Sequence, residues 1–461
     1  MVKIMDITKK DTITALSTPA IPSAIGIIRI SGENALDISE KIFSKPLKEI
    51  RGGTAVHGFI NDGTREIDEV ILTIFKSPRS FTGEDVVEIS CHGSVYIMNQ
   101  ILKLLIKNGA RQAKNGEFTM RAFVNGKLDL TQSEAVADLI DSQTGKEASS
   151  ALCALKGSIS EKISFIREEL IGISSQILAY IDYPDDEIEE ITPDLLKKKI
   201  MNLYLSLEEL SDTYNRGKII KSGLKTVICG KPNAGKSMLM NALLGYERSI
   251  VTDIEGTTRD IVEETADFGG MKLILTDTAG IRETDDKVEK IGVERARDKL
   301  AEADIIIFVY DLSRPLDEQD KSVLNEIQKT NAKKIAVLNK SDIAKVRAVD
   351  ELAFFDGAVI LSAKTKDGLE SLEKQINRIY TEQYGAGENS YENESVLNLR
   401  QYECVIRGME SLKNAVDNIH MTPDAILTDI ENTISALGEV LGKSVSSEII
   451  ENIFSKFCVG K

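Results

Sequence analysis

The chain has 461 residues, enough for about three domains of ~100–200 residues each. Apolar residues make up 42%, ordinary for a soluble globular protein, and no run reaches the ~18 apolar residues of a membrane span. The net charge of −16 argues against broad nonspecific nucleic-acid binding while leaving room for a local basic patch.

The opening Met1-Val2-Lys3-Ile4-Met5-Asp6 lacks the apolar core of a signal peptide, so a cytoplasmic location is expected. Residues 1–118 then mix short β-type runs with turns. Ile25 to Ile30, Glu69 to Phe75 and Val86 to Ser90 read as strands, and Ala35 to Phe43 and Val95 to Lys107 carry helical spacing. This pattern predicts a small α+β domain. Arg29 and Glu88 each stand inside an apolar strand run, and Lys127 follows the turn Asn125-Gly126. Such charges usually lie on a solvated face. The alternative is a pair framing a polar ligand. His92 before Gly93 is open to a catalytic or a structural role.

From residue 119 to about 222 the spacing is helical. Thr131 or Ser133 can cap a helix over Leu130 to Ile140, with Glu134 completing a capping box with Thr131. The spacing continues through Ala151, Leu155, Ile159, Ile163 and Ile166 to Tyr180, until Tyr183-Pro184 breaks it. The acidic run Asp185 to Glu190 reads as a solvated loop or helix start, and Leu195 to Tyr214 as another helix.

Gly230-Lys231-Pro232-Asn233-Ala234-Gly235-Lys236-Ser237 fits the phosphate-binding pattern G-x-x-x-x-G-K-[ST]. It follows the apolar run Lys225 to Cys229 and precedes a helix start at Met238 to Leu244. Loop N–H groups and a helix N-terminus hold phosphate oxygens, Lys236 would reach the β- and γ-phosphates, and the Ser237 hydroxyl would bind Mg²⁺. Asp277-Thr278-Ala279-Gly280 ends the next apolar run, where an Asp can hold Mg²⁺ through water and a Gly N–H can meet the γ-phosphate. Asn339-Lys340-Ser341-Asp342 follows Ile335 to Leu338. The Asp342 carboxylate offers two acceptors to the guanine N1–H and N2–H₂ donors, a face that adenine lacks. Ser362-Ala363-Lys364 resembles the loop that meets guanine O6. Each tetrapeptide alone is weak, but four in order, each at a strand end, predict a Ras-like P-loop α/β GTPase domain over 223–382.

Tyr384 to Ser390 reads as a linker, and helical spacing resumes at Val396, Leu399, Tyr402, Ile406, Met409 and Leu412. The helical arms 119–222 and 383–461 form either two bundles or one bundle into which the GTPase domain is inserted. Near the end, Cys458 is the fourth residue from the last, but the surrounding residues fit a prenylation box poorly. A frayed tail is one outcome. Phe454 and Phe457 favour a tail pinned to a core. The five cysteines Cys91, Cys153, Cys229, Cys404 and Cys458 include no C-x-x-C pair, which argues against a disulfide framework or a zinc site.

These pieces together resemble the tRNA modification GTPase MnmE (TrmE) family over essentially the whole chain. The residues that carry the resemblance are Asp11-Thr12-Ile13, Gly26 to Gly32, Phe81-Thr82-Gly83-Glu84-Asp85-Val86, Gly116-Glu117-Phe118-Thr119, Arg121-Ala122-Phe123 and Asn125 to Leu130. Gly256-Thr257-Thr258-Arg259-Asp260 and the closing Phe457-Cys458-Val459-Gly460-Lys461 complete the set. The chain departs from the family at Pro19 to Ala24, where a Gly-Arg-Gly-Gly-type turn is usual, and at Asn115, where Pro is usual. The resemblance implies a folate-binding-like N-terminal domain that dimerises, one helical domain built from both arms, and an inserted GTPase domain. It implies a tetrahydrofolate one-carbon derivative (5,10-methylene or 5-formyl) held at positions matching Arg29, Glu88, Lys127 and Lys461. Cys458 matches the family's essential cysteine.

The implied nucleotide positions are Asn233, Ala234, Gly235, Lys236, Ser237 and Met238, then Thr252, Asp253, Ile254, Glu255, Gly256, Thr257 and Thr258, together with the three downstream motifs. Ser237 and Thr258 match the Mg²⁺ pair. Asn233, Thr252, Thr257 and the Ile254 carbonyl match the K⁺ positions, where K⁺ acts once two GTPase domains meet face to face. Glu289 matches the acid that positions water, although by itself it reads as a solvated helix-face residue. After Gly280 comes Ile281, which cannot polarise water, and Arg259 and Arg282 are both possible arginine fingers. The implied partner is MnmG, in a heterotetramer, which brings FAD and NADH; with it the family adds an aminomethyl or carboxymethylaminomethyl group at carbon five of the wobble uridine of tRNA. The competing readings are an RNA-binding or ribosome-assembly GTPase, whose usual basic modules are not visible, and a folate-dependent transferase, against which the complete GTPase motif set argues.

Overall fold

A computed structural model of the protein describes residues 11–182, 192–245, 263–277, 298–343, 352–384 and 395–460. The Tyr183-Pro184 break, the acidic run after it and most of the linker at 384–390 lie outside the described residues. The chain forms two units. One comprises Met1–Ala137, Ala154–Leu207 and Glu403–Lys461, the other Asp138–Cys153 and Glu208–Tyr402.

In the first unit, β1 (Ile13–Leu16), β2 (Ile25–Ser31), β3 (Thr54–Asn61), β4 (Glu66–Phe75), β5 (Val86–His92) and β6 (Arg111–Gln112) make a sheet in the order β3-β4-β5-β2-β1-β6. Its pairs are antiparallel except β1 with β6. Helices α1 (Ala35–Ile42) and α2 (Val95–Lys107) bury Ile38, Ile42, Met98, Ile101 and Leu105 against Ile28 and Ile30 of β2, Leu72 and Ile74 of β4, and Val87 and Ile89 of β5. Side chains alternate across a strand, so burying these residues sends Arg29 and Glu88 to the opposite face. There the register sets them directly opposite each other. The two charges pair there.

Helices α3 (Glu117–Val124), α4 (Leu130–Asp141), α5 (Gly145–Leu155), α6 (Ser158–Asp182) and α7 (Pro193–Ser222) follow. The spacing read as running on from Leu130 through Ile166 is three helices. The breaks keep the helical phase, which is why periodicity hid them. Gly157, at φ +97°, ends α5. Ahead of α5, the Glu147 carboxylate accepts from the Thr144 N–H, and the Thr144 hydroxyl accepts from the Glu147 N–H, a capping box. The expected cap of α4 is corrected too. Asp129 accepts from the Gln132 N–H at 2.9 Å, while Thr131 and Ser133 lie within the helix and donate back to Asp129. Asp accepts at an N-cap as well as Ser or Thr does, so a polar cluster alone does not choose among them.

The second sheet has the order β12-β11-β10-β7-β9-β8, with β7 (Leu224–Cys229), β8 (Glu263–Phe268), β9 (Met271–Asp277), β10 (Ile305–Asp311), β11 (Lys333–Asn339) and β12 (Gly357–Ile360). All pairs are parallel except β8 with β9. Helices α8 (Lys236–Leu244) and α10 (Leu369–Tyr384) pack one face onto Ile305, Ile307 and Val309. Helix α9 (Glu318–Gln328) packs the other face onto Ile306, Phe308 and Tyr310. A parallel sheet covered on both faces needs such unbroken apolar strands.

Helices α11 (Leu399–Asp417), α12 (Pro423–Val440) and α13 (Ser447–Ser455) complete the chain. The stripe Ile159, Ile163, Ile166, Leu170, Ile173 and Ile177 on α6 is buried, and α6 lies against α12. Arg407 of α11 pairs with Glu439 of α12 at 2.6 Å. The two helical arms therefore meet, with the P-loop sheet arising between them in the chain. No helix among the described residues is long and apolar enough to cross a membrane.

An ion cluster backs the first sheet. Arg121, 1% exposed, reaches Asp11 at 2.7 Å, Glu117 at 3.1 Å and Glu84 at 3.2 Å, and Arg111 pairs with Asp11 and Glu117 at 2.6 Å each. Burial acts to raise the Asp11 and Glu117 carboxyls, but the hydrogen bonds and charge of the two arginines hold both below the usual carboxylate range. A depressed carboxyl contributes stability that is present above its unfolded pKa and lost as pH falls through its folded one. Stability is therefore expected to hold down to about pH 5 and to fall below about pH 4. Arg111→Gln should shrink that acid-dependent loss, as read from denaturation midpoints across a pH series. An unchanged pH profile in the variant would contradict this assignment.

Candidate functional site: a phosphate loop and a charged sheet face

Strand β7 lies between β10 and β9, so chain order reverses at its C-terminal end, where parallel sheets form their crevice. The register sets Asp311 beside Asn339 and Ile228 beside Asp277, so these strand ends share one edge. The loop 230–235 leaves that edge and enters α8 at Lys236. Gly230 has φ +139°, and a Cβ there would stand 2.4 Å from the Val309 carbonyl. Gly235 has φ +101°, and its Cβ would stand 2.1 Å from Asn339 Nδ2. Both glycines are required by backbone sign and by space. Asn233 also takes a left-handed φ of +64°. The buried Lys236 ammonium donates to the carbonyls of Gly230 and Lys231 at 2.9 Å each, which aims a cation across the loop. Ser237 and Met238 occupy the first turn of α8 and are exposed. A helix N-terminus with a buried ammonium and an exposed hydroxyl suits a phosphate with a bound divalent cation.

Asn339 ties the loop to the base side. Its Nδ2 donates to the Ala234 carbonyl at 2.8 Å, and its Oδ1 accepts from the Ala363 N–H at 2.9 Å. One carboxamide thus joins three of the sequence motifs. The Ser362 hydroxyl donates to Asp342 at 2.8 Å, orienting the carboxylate expected to read guanine. Lys340, at φ +67°, pairs with Asp311 at 2.5 Å. Burial acts to raise the Asp311 carboxyl, but hydrogen bonds from Lys340 and Ser313 hold it low. Lys231 of the loop pairs with Asp317, the N-cap of α9. Ala363 is buried and Lys364 is exposed. The positions Thr252, Asp253, Ile254, Glu255, Gly256, Thr257, Thr258, Thr278, Ala279, Gly280, Glu289 and Lys461 lie outside the described residues, as do Arg259, Ile281 and Arg282. Asp277 is described as the last residue of β9.

The second constellation lies on the first sheet. Arg29 Nε and Nη2 donate to Glu88 Oε1 at 2.9 and 2.7 Å. The guanidinium carbon stands 5.6 Å from the ring centroids of both Phe81 and Phe118. Each such contact is worth about 0.5–2 kcal/mol, depending on desolvation. Arg29 Nη1 and the Ser17 hydroxyl also donate to the Gly460 carbonyl, each at 3.4 Å. The C-terminal segment is therefore seated beside the pair. An antiparallel bridge between Asn115 and Val459 and the Gly116 N–H to the Cys458 carbonyl hold it. Phe454 and Phe457 anchor it among Met120, Leu130 and Ile450. Gly460 has φ +98°, and a Cβ would stand 2.0 Å from the Leu16 carbonyl. Of the five thiols, only Cys458 is exposed, whereas burial pushes Cys91 up to about 11 and Cys229 up to about 12.

Lys127 is exposed and donates to the Pro78 carbonyl at 3.0 Å, on the loop that carries Phe81. His92 pairs with Asp68 at 2.7 Å at the solvated end of β5, which assigns it a strand-end contact rather than a place beside Arg29. The sequence reading missed Phe81 and Phe118 as members of the site. Their signal was an aromatic inside each of two polar motifs, Phe81-Thr82-Gly83-Glu84 and Gly116-Glu117-Phe118-Thr119. Pro19 to Ala24 forms the exposed connection from β1 to β2.

Family models match two stretches, the GTP-binding protein TrmE N-terminus over residues 12–127 and the MnmE helical domain over 130–458. The chain belongs to the MnmE family. It is 43% identical to the tRNA modification GTPase MnmE of Streptococcus thermophilus (strain CNRZ 1066) over 99% of this chain and 100% of that one. It is 42% identical to that of Lactococcus lactis subsp. cremoris (strain MG1363) over 98% of each. Among solved structures, the G domain of the T. maritima FeoB iron transporter is similar at 30% identity over 34% of this chain and 98% of that one, with a TM-score of 0.27 too low to argue from. For an MnmE-family chain, Asp342 is expected to be the base-reading acid. Asp342→Asn should weaken GTP binding by about tenfold or more and favour xanthosine nucleotides, because a carboxamide presents one acceptor where guanine needs two. Competition binding with GTP and XTP checks this, and an unchanged GTP preference would remove the residue from base recognition.

Proposed function

We propose that this protein hydrolyses GTP to drive modification of the wobble uridine of tRNA, in a complex with a partner of the MnmG type. The observation that carries the reading is the seating of the C-terminal segment against Arg29 and Glu88. It supports a reading in which the exposed Cys458, two residues from the Gly460 that accepts from Arg29, serves with that pair, while a separate loop serves phosphate. The proposed domains are a folate-binding and dimerisation domain over 1–118, a helical domain from 119–222 and 383–461, and the GTPase domain over 223–382.

In the nucleotide site, the N–H groups of Asn233 to Ser237 would face the phosphates, and Lys236 would exchange its loop carbonyls for phosphate oxygens. Asn339 keeps the loop and the base side in one geometry, so binding does not have to organise them. Asp342 would accept from the guanine edge, and Ala363 with its neighbours would meet O6. Glu289 would orient the water that attacks the γ-phosphorus, and the β–γ bridging oxygen would leave with the GDP. The Ser237 hydroxyl, in the first turn of α8, fits a hard divalent cation, with Thr258 as its proposed second ligand. The exposed, left-handed Asn233 fits a monovalent cation, to be completed by Thr252, Ile254 and Thr257. Bound there, Mg²⁺ and K⁺ would supply positive charge against that developing on the phosphates.

On the sheet face, Arg29, Glu88, Lys127 and Lys461 would hold a tetrahydrofolate derivative. An amino-pyrimidinone edge needs donors and acceptors side by side, and the Arg29–Glu88 pair offers both; the lysines suit its glutamate tail. The folate would supply the one-carbon unit, and the partner's FAD and NADH the redox step. Cys458 would stand at this face as the reactive thiol. The homodimer and the cytoplasmic location belong to this reading.

Hydrolysis is expected to run at least about tenfold faster in K⁺ than in Na⁺ of equal ionic strength, since the smaller ion fits carbonyl and amide ligands at a different spacing. Equal turnover in the two salts would count against the cation's role. Removing residues 458–461 should abolish wobble-uridine modification, read by mass spectrometry of tRNA nucleosides, and leave GTP hydrolysis within about twofold of the full chain. Retained modification would sever the terminus from the chemistry.

A further inference from the structure

The ion cluster behind the first sheet does more than fill space. Arg121 is 1% exposed, and its Nη1 donates to the Asp11 carbonyl at 2.8 Å and to both Glu84 oxygens at 3.2 Å. Glu84 also accepts from the Ser31 hydroxyl at 2.7 Å. Glu84 belongs to the loop that carries Phe81, and Arg121 belongs to α3, which carries Phe118. Those two rings flank Arg29. The Arg121–Glu84 contact thus ties together the two supports of the Arg29 guanidinium, beside the Asn125 Nδ2 donation to the Thr82 carbonyl at 2.7 Å. Arg121 Nε is buried without a hydrogen-bond partner among the described residues. A buried arginine with an orphan donor is costly, and a well-packed apolar side chain would often be at least as stable, so stability alone does not account for it.

We propose that Arg121 is a positioning residue for the folate face: through Glu84 it sets the spacing of Phe81 and Phe118, and thereby the direction in which Arg29 presents its guanidinium. This rests on the folate reading of that face. The link is directional. Arg111 joins Asp11 and Glu117 in the same cluster but has no contact with Glu84 among the described residues, so it stabilises the cluster without holding the loop.

The test uses the full-length protein and 5-formyltetrahydrofolate binding by calorimetry, with GTP affinity and hydrolysis measured in parallel. Glu84→Ala removes the arginine tie to the loop while the loop keeps its bonds from Asn125 and Lys127 and Arg121 keeps Asp11 and Glu117, so folding is retained. Arg121→Lys keeps the charge but loses the fork that spans three carboxylates. Each substitution should lower folate affinity about tenfold, and the double variant should be no weaker than the weaker single, because both break one link. GTP affinity and hydrolysis should stay within about twofold. Arg111→Gln should lower the denaturation midpoint yet keep folate affinity within about threefold, an outcome that a cluster acting only through stability would not give. Wild-type folate affinity in Glu84→Ala, or fully additive losses in the double variant, would overturn the positioning role. Arg29→Ala separates the two readings. If it loses folate while Glu84→Ala does not, only the positioning role falls; if it binds folate normally, the folate reading falls and takes the positioning role with it.

Discussion

The bond between Arg29 and Glu88 is the constraint on which the N-terminal site depends. Two opposite charges at a directly paired position of adjacent strands are tolerable on a half-covered face only because they satisfy each other. The arginine then has donors left, and they face the C-terminal segment. Its carbonyl at Gly460 accepts one of them. A residue far away in sequence is thereby part of the same polar surface as β2 and β5. The aromatic rings beside the guanidinium screen it from water and restrict its rotamers, so the group is presented rather than free to wander.

The nucleotide site rests on a comparable economy. Asn339 uses a donor and an acceptor of one carboxamide to connect the phosphate loop with the base-side loop. The close approach it needs is allowed only because position 235 has no side chain. The surrounding ion pairs, Lys340 with Asp311 and Lys231 with Asp317, tie the neighbouring loops to the ends of β10 and α9. Loops that must bind phosphate precisely are in this way held by a rigid parallel sheet at its switch point.

Much of this was legible in the residues. The P-loop, its strand and its helix were readable because a glycine-bearing loop needs that context and few sequences supply it by chance. Strands β2, β4, β5, β7, β9, β11 and β12 showed as apolar runs, whereas β1, β3, β6, β8 and β10 were not read, and α2 was bounded to the residue because its stripe is long and regular. The breaks between α4, α5 and α6 were hidden, since a short interruption that preserves helical phase leaves periodicity intact. The cap at Asp129 was mistaken for Thr131 or Ser133, because several capping residues stood within reach of the same helix start.

Local pattern, then, determined many of the strands and the long helical stretches, which loop takes phosphate, and that Arg29 and Glu88 were out of place in apolar strands. It could do so because burial alternation, helical phase and loop chemistry are written at short range. Only the tertiary structure decided that those two charges face each other, that Phe81 and Phe118 flank the arginine, and that the C-terminal segment is laid beside them. Those facts depend on strand register and on contacts between segments hundreds of residues apart, and neither is encoded in the spacing of neighbours along the chain.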